Sequence, residues 1–240
     1  IVYICKIDSS CKRTSLIHSM PTHKVFLSDY YIYKHEVTNA QYALCVKENV
    51  CTQPHKYNSN IYDDYYINPI YKNYPVVFVD WYQADQYCQW TGGRLPTEAE
   101  WEKAARGTSA NKYPWGNEEP NCNLANFRLS SGTYCVGDTA PVGSYPAGAS
   151  PYGVMDMAGN AQEWVVDCYD DDFYENSPYY NPINGGMSEG KTSHCTGIRR
   201  GGSWEHGPND ISTYYREMGQ YDSFYGGFRC AADAIVKTNK

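Results

Sequence analysis

Apolar residues along this chain fall in short runs separated by polar stretches, and few segments keep a period for long. Ile1-Val2-Tyr3-Ile4, Val25-Phe26-Leu27 and Tyr30-Tyr31-Ile32-Tyr33 are rich in β-branched and aromatic residues and predict strands. Thr38 followed by Gln41 is a capping box, which predicts a helix over 39–47. Val76-Val77-Phe78-Val79 predicts a buried strand. Asp80 is placed to cap a helix carrying Trp81, Ala84, Cys88 and Gln89, which Gly92-Gly93 ends. Thr97 and Glu100 form another box, with Ala99, Trp101 and Ala104-Ala105 on a helix that Gly107 stops. The stretch 52–74 is polar without a clear period and predicts surface loop, and 178–193 is a Gly/Asn/Ser-rich excursion. Tyr225 to Ala232 predicts a closing strand.

No linker or charge run divides the 240 residues, so a single domain over 1–240 is expected. Tyrosine is over-represented, 25 against 6 Phe, which suits extensive half-buried surface such as a binding face or a subunit contact. A formal charge of -7 removes the electrostatic reason to approach nucleic acid or an anionic membrane. No apolar run is long enough to span a bilayer.

Ten cysteines without paired Cys-x-x-Cys spacing point away from structural zinc and toward disulfides, which need an oxidising compartment. Cys5 with Cys11 and Cys45 with Cys51 are close in sequence; Cys122 with Cys135 and Cys168 with Cys195 would close longer loops. Cys88 and Cys230 remain. A secreted protein should start with a signal peptide and none opens the chain, so the expectation is a mature form beginning at Ile1.

Tyr152 to Trp164 contains the densest candidate chemistry. Asp156 and Glu163 bracket a small-residue turn in which Gly159 and Ala161 leave carbonyls unobstructed, and calcium prefers several such oxygen ligands. A polar turn before a core strand is the plainer alternative. The phrase Tyr152-Gly153-Val154-Met155-Asp156-Met157-Ala158-Gly159-Asn160-Ala161-Gln162-Glu163-Trp164 resembles a signature of the formylglycine-generating enzyme (sulfatase-modifying factor) family. His35 to Tyr42, Pro75-Val76-Val77, Gly93 to Glu102, Tyr113-Pro114-Trp115-Gly116, Pro141 to Pro146, Arg200-Gly201-Gly202-Ser203-Trp204 and Gly227-Phe228-Arg229 follow in the family's order. The resemblance covers about residues 25 to 233, and 1–24 form a divergent N-terminal segment.

That resemblance implies an α+β fold: a variant of the C-type lectin fold, low in regular secondary structure, stapled by disulfides around a small twisted antiparallel sheet and two or more helices. It implies a bridge between Cys88 and Cys230, and calcium as cofactor. The first calcium would lie at Asp156, Gly159, Ala161 and Glu163. A second would be held by the Asn126 side chain and the Phe127 carbonyl, with Asp138 as the candidate acidic partner in a stretch the resemblance does not align; a plain loop is the alternative there. The acidic run Asp170-Asp171-Asp172 reads instead as a solvated loop.

The family's enzymes bind copper through two cysteines five residues apart after Gly-Gly-Ser-aromatic, and soft thiolates suit Cu(I). The matching positions here are His206 and Ile211, so no copper and no catalytic residues are expected. His206 reads as a surface histidine; Gly-x-Ser-x-Gly, phosphate-loop and His-x-x-x-His motifs are absent from the sequence. Trp204, His206, Tyr214, Tyr215, Tyr221, Phe224 and Tyr225 suit a ligand-facing surface, the alternative being rings that fill the core.

The resulting expectation is a secreted or cell-surface, calcium-stabilised, non-catalytic module. It would serve as an extracellular structural subunit, associating with itself through 1–20, 52–74 and 178–193, or bind a protein or glycan ligand. The alternative is a copper-dependent oxidase converting a protein cysteine to formylglycine, or another oxygen-dependent enzyme on the same scaffold.

Overall fold

The structure is a computed structural model, and it describes residues 21–185, 196–219 and 225–234. Its regular elements in chain order are β1 (Tyr30–Ile32), α1 (Asn39–Lys47), α2 (Trp81–Trp90), α3 (Glu98–Arg106), β2 (Gln162–Cys168), α4 (Phe173–Asn176), β3 (Gly197–Arg200), β4 (Arg216–Met218), β5 (Gly226–Phe228) and β6 (Ala231–Asp233). Single-turn 3₁₀ segments sit at Pro69–Tyr71 and Pro146–Gly148. Much of the remaining chain is loop, and the class is α+β.

All three principal helices start with a reciprocal capping box, from Thr38 to Gln41, Asp80 to Gln83 and Thr97 to Glu100. Each box satisfies two backbone donors that a helix N-terminus otherwise leaves open. Local chemistry therefore sets these boundaries.

Strand boundaries follow from tertiary contacts instead. One sheet has the order β4-β3-β2-β5, and a second consists of β1 paired with β6. β2 pairs antiparallel with β3 and parallel with β5, so the main sheet is mixed where an antiparallel one was expected. Three predicted strands change. Val25-Phe26-Leu27 is reduced to one bridge from Phe26 to Tyr180. Val76 to Val79 is buried but unladdered, because Phe78 adopts φ 57° and breaks the extended path. The closing strand divides into β5 and β6, which join different sheets on either side of Arg229-Cys230. Ile1 to Ile4 lies outside the described residues.

β2 is covered on both faces, and so it lacks an in/out alternation of burial. On one side Trp164 packs with Trp81, Ala84 and Phe228, and its Nε1 donates to the Val79 carbonyl at 2.9 Å. On the other, Val165 packs with Trp101, Ala104 and Ile198. Gly219 crosses the Trp164 ring so closely that a Cβ there would come within 1.9 Å of it. Only glycine lets β4 continue past that indole.

Among the described residues three disulfides have both partners placed, Cys45–Cys51, Cys88–Cys230 and Cys122–Cys135. The second closes a separation of 142 residues and ties α2 to the chain between β5 and β6. By restricting the unfolded chain, a bridge of such span contributes on the order of 2 to 4 kcal/mol. Cys168 is also disulfide-bonded; Cys195, its expected partner, and Cys5 and Cys11 lie outside the described residues. This many bridges suggests an oxidising, extracellular or periplasmic environment. No helix among the described residues is long and apolar enough to cross a membrane.

Behind the sheet, Arg200 and Arg216 converge on Glu98, the first residue of α3, with Arg216 Nε to Glu98 Oε1 at 2.6 Å and Arg200 Nη2 to Glu102 Oε2 at 2.7 Å. Asp167 faces the same helix start and accepts from the Glu98 backbone N–H at 2.7 Å. Burial, then the neighbouring Glu98 charge, push its carboxyl up to about 7. Folded Asp167 therefore holds a proton more tightly than the unfolded chain, so its stabilising contribution is complete below about pH 4 and lost as pH rises through about 7. The stability difference between wild type and Asp167→Asn, from urea unfolding at pH 4 to 8, should shift across this window by up to about 4 kcal/mol in favour of the variant. A difference independent of pH would show that Asp167 ionises normally.

Candidate functional site

The turn before β2 sits on a buried polar junction. Arg229 Nε donates to Glu163 Oε2 and Nη2 to Oε1, both at 2.6 Å. Nη1 donates to the Tyr33 and Lys34 carbonyls and Nη2 also to that of Met155, so all five guanidinium N–H groups are used. Trp101 Nε1 adds a bond to Glu163 Oε2 at 2.7 Å. Glu163 and Arg229 are both fully buried.

Two more carboxylates enter the same junction. Glu36 accepts from Asn160 Nδ2 at 3.1 Å on both oxygens and from the Ala161 N–H at 3.1 Å. Asp156, itself at φ 58°, accepts from the Gly143 N–H at 2.6 Å. Burial, then the charges of Asp156 and Glu163, hold the Glu36 carboxyl well above the ordinary range, and burial raises Asp156 as well. Three acids thus surround one arginine, and among the described residues neither Glu36 nor Asp156 has an ion pair with a lysine or arginine.

Asn160 links this junction to the loop expected to hold a second cation. Its Oδ1 accepts from the Ala140 N–H at 2.8 Å and from Asn126 Nδ2 at 3.2 Å. Gly159 is glycine because a Cβ there would lie 2.2 Å from the Asn126 carbonyl. Asp138 accepts from Ser59 Oγ at 2.6 Å, from the Ile61 N–H at 2.9 Å and from the Thr139 N–H at 2.7 Å. The Phe127 carbonyl accepts from the Cys135 N–H at 3.0 Å.

The fit to calcium is divided. Glu163 has Arg229 on both oxygens and Trp101 on Oε2, which leaves Oε1 the freer of the two for a cation. Asn126 Oδ1, by contrast, is a buried acceptor without a hydrogen-bond partner, and the acid surplus at Glu36 and Asp156 lies one asparagine away. An orphaned oxygen beside uncompensated carboxylates is an environment that a hard cation would satisfy.

The opposite face of the sheet carries the positions that match the family's thiol pair. Ser203 Oγ lies 2.7 Å from His206 Nδ1, to which the Ser203 N–H also donates at 3.1 Å. His206 Nε2 is 3.4 Å from Glu217 Oε2. Ile211 is sealed in a cluster with Tyr113, Phe127 and Ala158 and offers no reactive group. Of the rings expected to face a ligand, Trp204 and Tyr214 are buried and present no surface, which corrects that expectation for both. His206, Tyr215 and Tyr225 are half-buried, and Tyr221 and Phe224 lie outside the described residues. Gln162, Arg199 and Glu217 belong to this face and were not singled out by sequence; period-2 alternation across Arg199-Arg200 was the available signal, since it sends the two guanidiniums to opposite faces.

Fold and junction together define a disulfide-stapled, C-type-lectin-like domain of the formylglycine-generating kind. A model of the sulfatase-modifying factor enzyme 1-like domain matches residues 6–234, and the chain belongs to that family. It is 39% identical over 225 residues to a Chlamydia caviae protein named serine/threonine-protein kinase pkn1, covering 88% of this chain and 34% of that protein. The chain thus spans about a third of that relative's length. It is 38% identical over 177 residues to the formylglycine-generating enzyme of Streptomyces coelicolor, covering 68% of this chain and 54% of the enzyme. Among solved structures, PvdO from Pseudomonas aeruginosa superposes with a TM-score of 0.69 at 27% identity, over 90% of this chain and 85% of that one.

Replacing Arg229 with methionine should destabilise the domain by about 3 to 5 kcal/mol, because Glu163 is left as a buried, uncompensated charge. Adding Glu163→Gln should restore part of that loss in urea unfolding. Strict additivity of the two substitutions would show that the pair does not interact.

Proposed function

We propose that this domain is a non-catalytic recognition or structural module of an oxidising, extracellular setting, stabilised by calcium. The observation that carries the reading is the loss of both thiol positions: His206 is held by Ser203 and Glu217, and Ile211 is core. Thiolate is both the copper ligand and the group that engages the substrate in the chemistry implied by the family resemblance; an alkyl chain can do neither, and an imidazole can bind a metal but cannot form the bond to a substrate cysteine. The partner is a second copy of the domain or a protein or glycan ligand. For self-association, the described parts of the expected contact surface are the loop 52–74, where Ile61, Ile67 and Ile70 are exposed, and 178–185, where Tyr179, Tyr180 and Ile183 are. Light scattering of native material separates assembly from a 27.3 kDa monomer.

A second reading, an oxygen-dependent enzyme, is favoured by the identity to a formylglycine-generating enzyme. With copper supplied and a cysteine-containing sulfatase peptide present, the expected oxygen uptake is none above the protein-free background. Peptide-dependent uptake would move the assignment to the second reading.

Calcium would be held where Asn126 Oδ1 lacks a partner and where Glu36 and Asp156 exceed the available positive charge. Bound there, it would neutralise the acids and supply no chemistry. Excess chelator should lower Tm at pH 7.5, since an ion that binds only the folded state stabilises it by mass action. The shift should shrink in Asn126→Ala; identical melting with and without chelator would remove calcium from the account.

A further inference from the structure

On the face of the sheet away from the carboxylate junction, one buried cation lacks acceptors. Arg199 is 2% exposed, and its Nε and Nη1 have no hydrogen-bond partner. β3 and β4 place Arg199 directly opposite Glu217, the usual arrangement for a cross-strand ion pair. Glu217 instead turns its carboxylate to Gln162 Nε2 and His206 Nε2. The guanidinium lies between two rings, 5.2 Å from the centre of Trp164 and 5.5 Å from that of Tyr225. Stacking engages the planar faces and leaves the N–H edges unsatisfied. Burial lowers the pKa of Arg199, because removal from water disfavours the charged guanidinium, and the Glu217 charge only partly opposes this.

The same face holds the complementary deficit. Gln162 is fully buried, its Nε2 is used by Glu217, and its Oε1 has no partner. Buried polar atoms are normally paired, and here donors and an acceptor stand open on neighbouring strands. The half-buried rings of His206 and Tyr225, 5.6 Å apart, border the region and would have to move to admit a ligand.

We infer that Arg199, Gln162 and Glu217 form a binding site for a carboxylate with an N–H group beside it, as in an amino acid or the C-terminal residue of a peptide. A carboxylate oxygen takes one of the open N–H groups of Arg199, Nε or Nη1, which lie on different edges of the guanidinium. The adjacent N–H donates to Gln162 Oε1, on the side where Glu217 supplies negative charge. One guanidinium with Glu217 opposite it across the strands suits a monoanion and opposes a phosphate dianion. This site deepens the recognition role proposed above and rests on it only in taking the face as free of thiol chemistry.

The test is thermal unfolding of the full chain with N-acetylglycine, glycine and N-acetylglycinamide, at concentrations carried to saturation. One or both carboxylates should raise Tm, and the neutral amide should not. N-acetylglycine acting alone points to a peptide C-terminus, glycine acting alone to a free amino acid, and both acting together to the shared group. Arg199→Met should leave the ligand-free Tm unchanged or higher, because an unpaired buried cation is removed, while weakening the carboxylate response at least tenfold. Arg199→Lys, a fold-preserving control that keeps the charge but not the guanidinium edges, should also weaken it. The inference is overturned if no carboxylate shifts wild type, if the amide acts as well as the acid, or if Arg199→Met lowers the ligand-free Tm, which would mark Arg199 as a structural ion. Oxygen uptake is not read here, so loss of binding leaves the non-catalytic reading intact, and turnover in the earlier assay leaves the binding result intact.

Discussion

The contact on which the rest of the molecule depends is the bidentate pair between Glu163 and Arg229. It joins the second residue of β2 to the two-residue link between β5 and β6, and through the carbonyls of Tyr33, Lys34 and Met155 it gathers two further stretches of chain. In a fold with so little regular structure, backbone polar groups in loops need partners that a ladder would otherwise supply. A guanidinium with five directed donors is suited to that task. Desolvating both ions is costly, and the arrangement holds because every donor is used and Trp101 adds one more bond to the carboxylate.

Around that pair, β2 divides the domain into two polar regions of different character. On the α3 side the charges interlock: Arg200 and Arg216 share Glu98, Arg200 reaches Glu102, and Asp167 sits at the helix start. The Trp164 side is the reverse, with Arg199 stacked but unbonded at its edges, Gln162 half satisfied, and Glu217 turned to His206. Strain and unmet polar groups concentrate where a protein meets something else, while satisfied networks hold its shape. The contrast between adjacent residues Arg199 and Arg200, one open and one enclosed, states the division within a single dipeptide.

Histidine and isoleucine at positions 206 and 211, where the resemblance places thiols, leave the scaffold intact because the fold rests on other residues. Ile211 fills space among Tyr113, Phe127 and Ala158, so the second thiol position has become a packing position. Fold and family membership therefore carry over from relatives, whereas activity has to be argued from the face itself.

The helices were legible from the sequence because their starts are local: a capping box spans four residues and needs nothing from the rest of the chain. Family and fold class were legible through motifs such as Gly159-Asn160 and Gly227-Phe228-Arg229, whose residues keep the junction together. Strand limits were not, because Phe78 leaves the extended region and Arg229-Cys230 splits a continuous apolar run, both for contacts distant in sequence. The same reason hid Arg229 as a partner of Glu163. Its spacing from Asp156 suggests a cation cage, but the guanidinium that takes both oxygens comes from 66 residues away. Sequence alone determined where helices begin, which cysteines lie near one another and that the thiol pair is gone. Which charges meet, and which are left open, was decided only when loops without a period of their own were packed against β2.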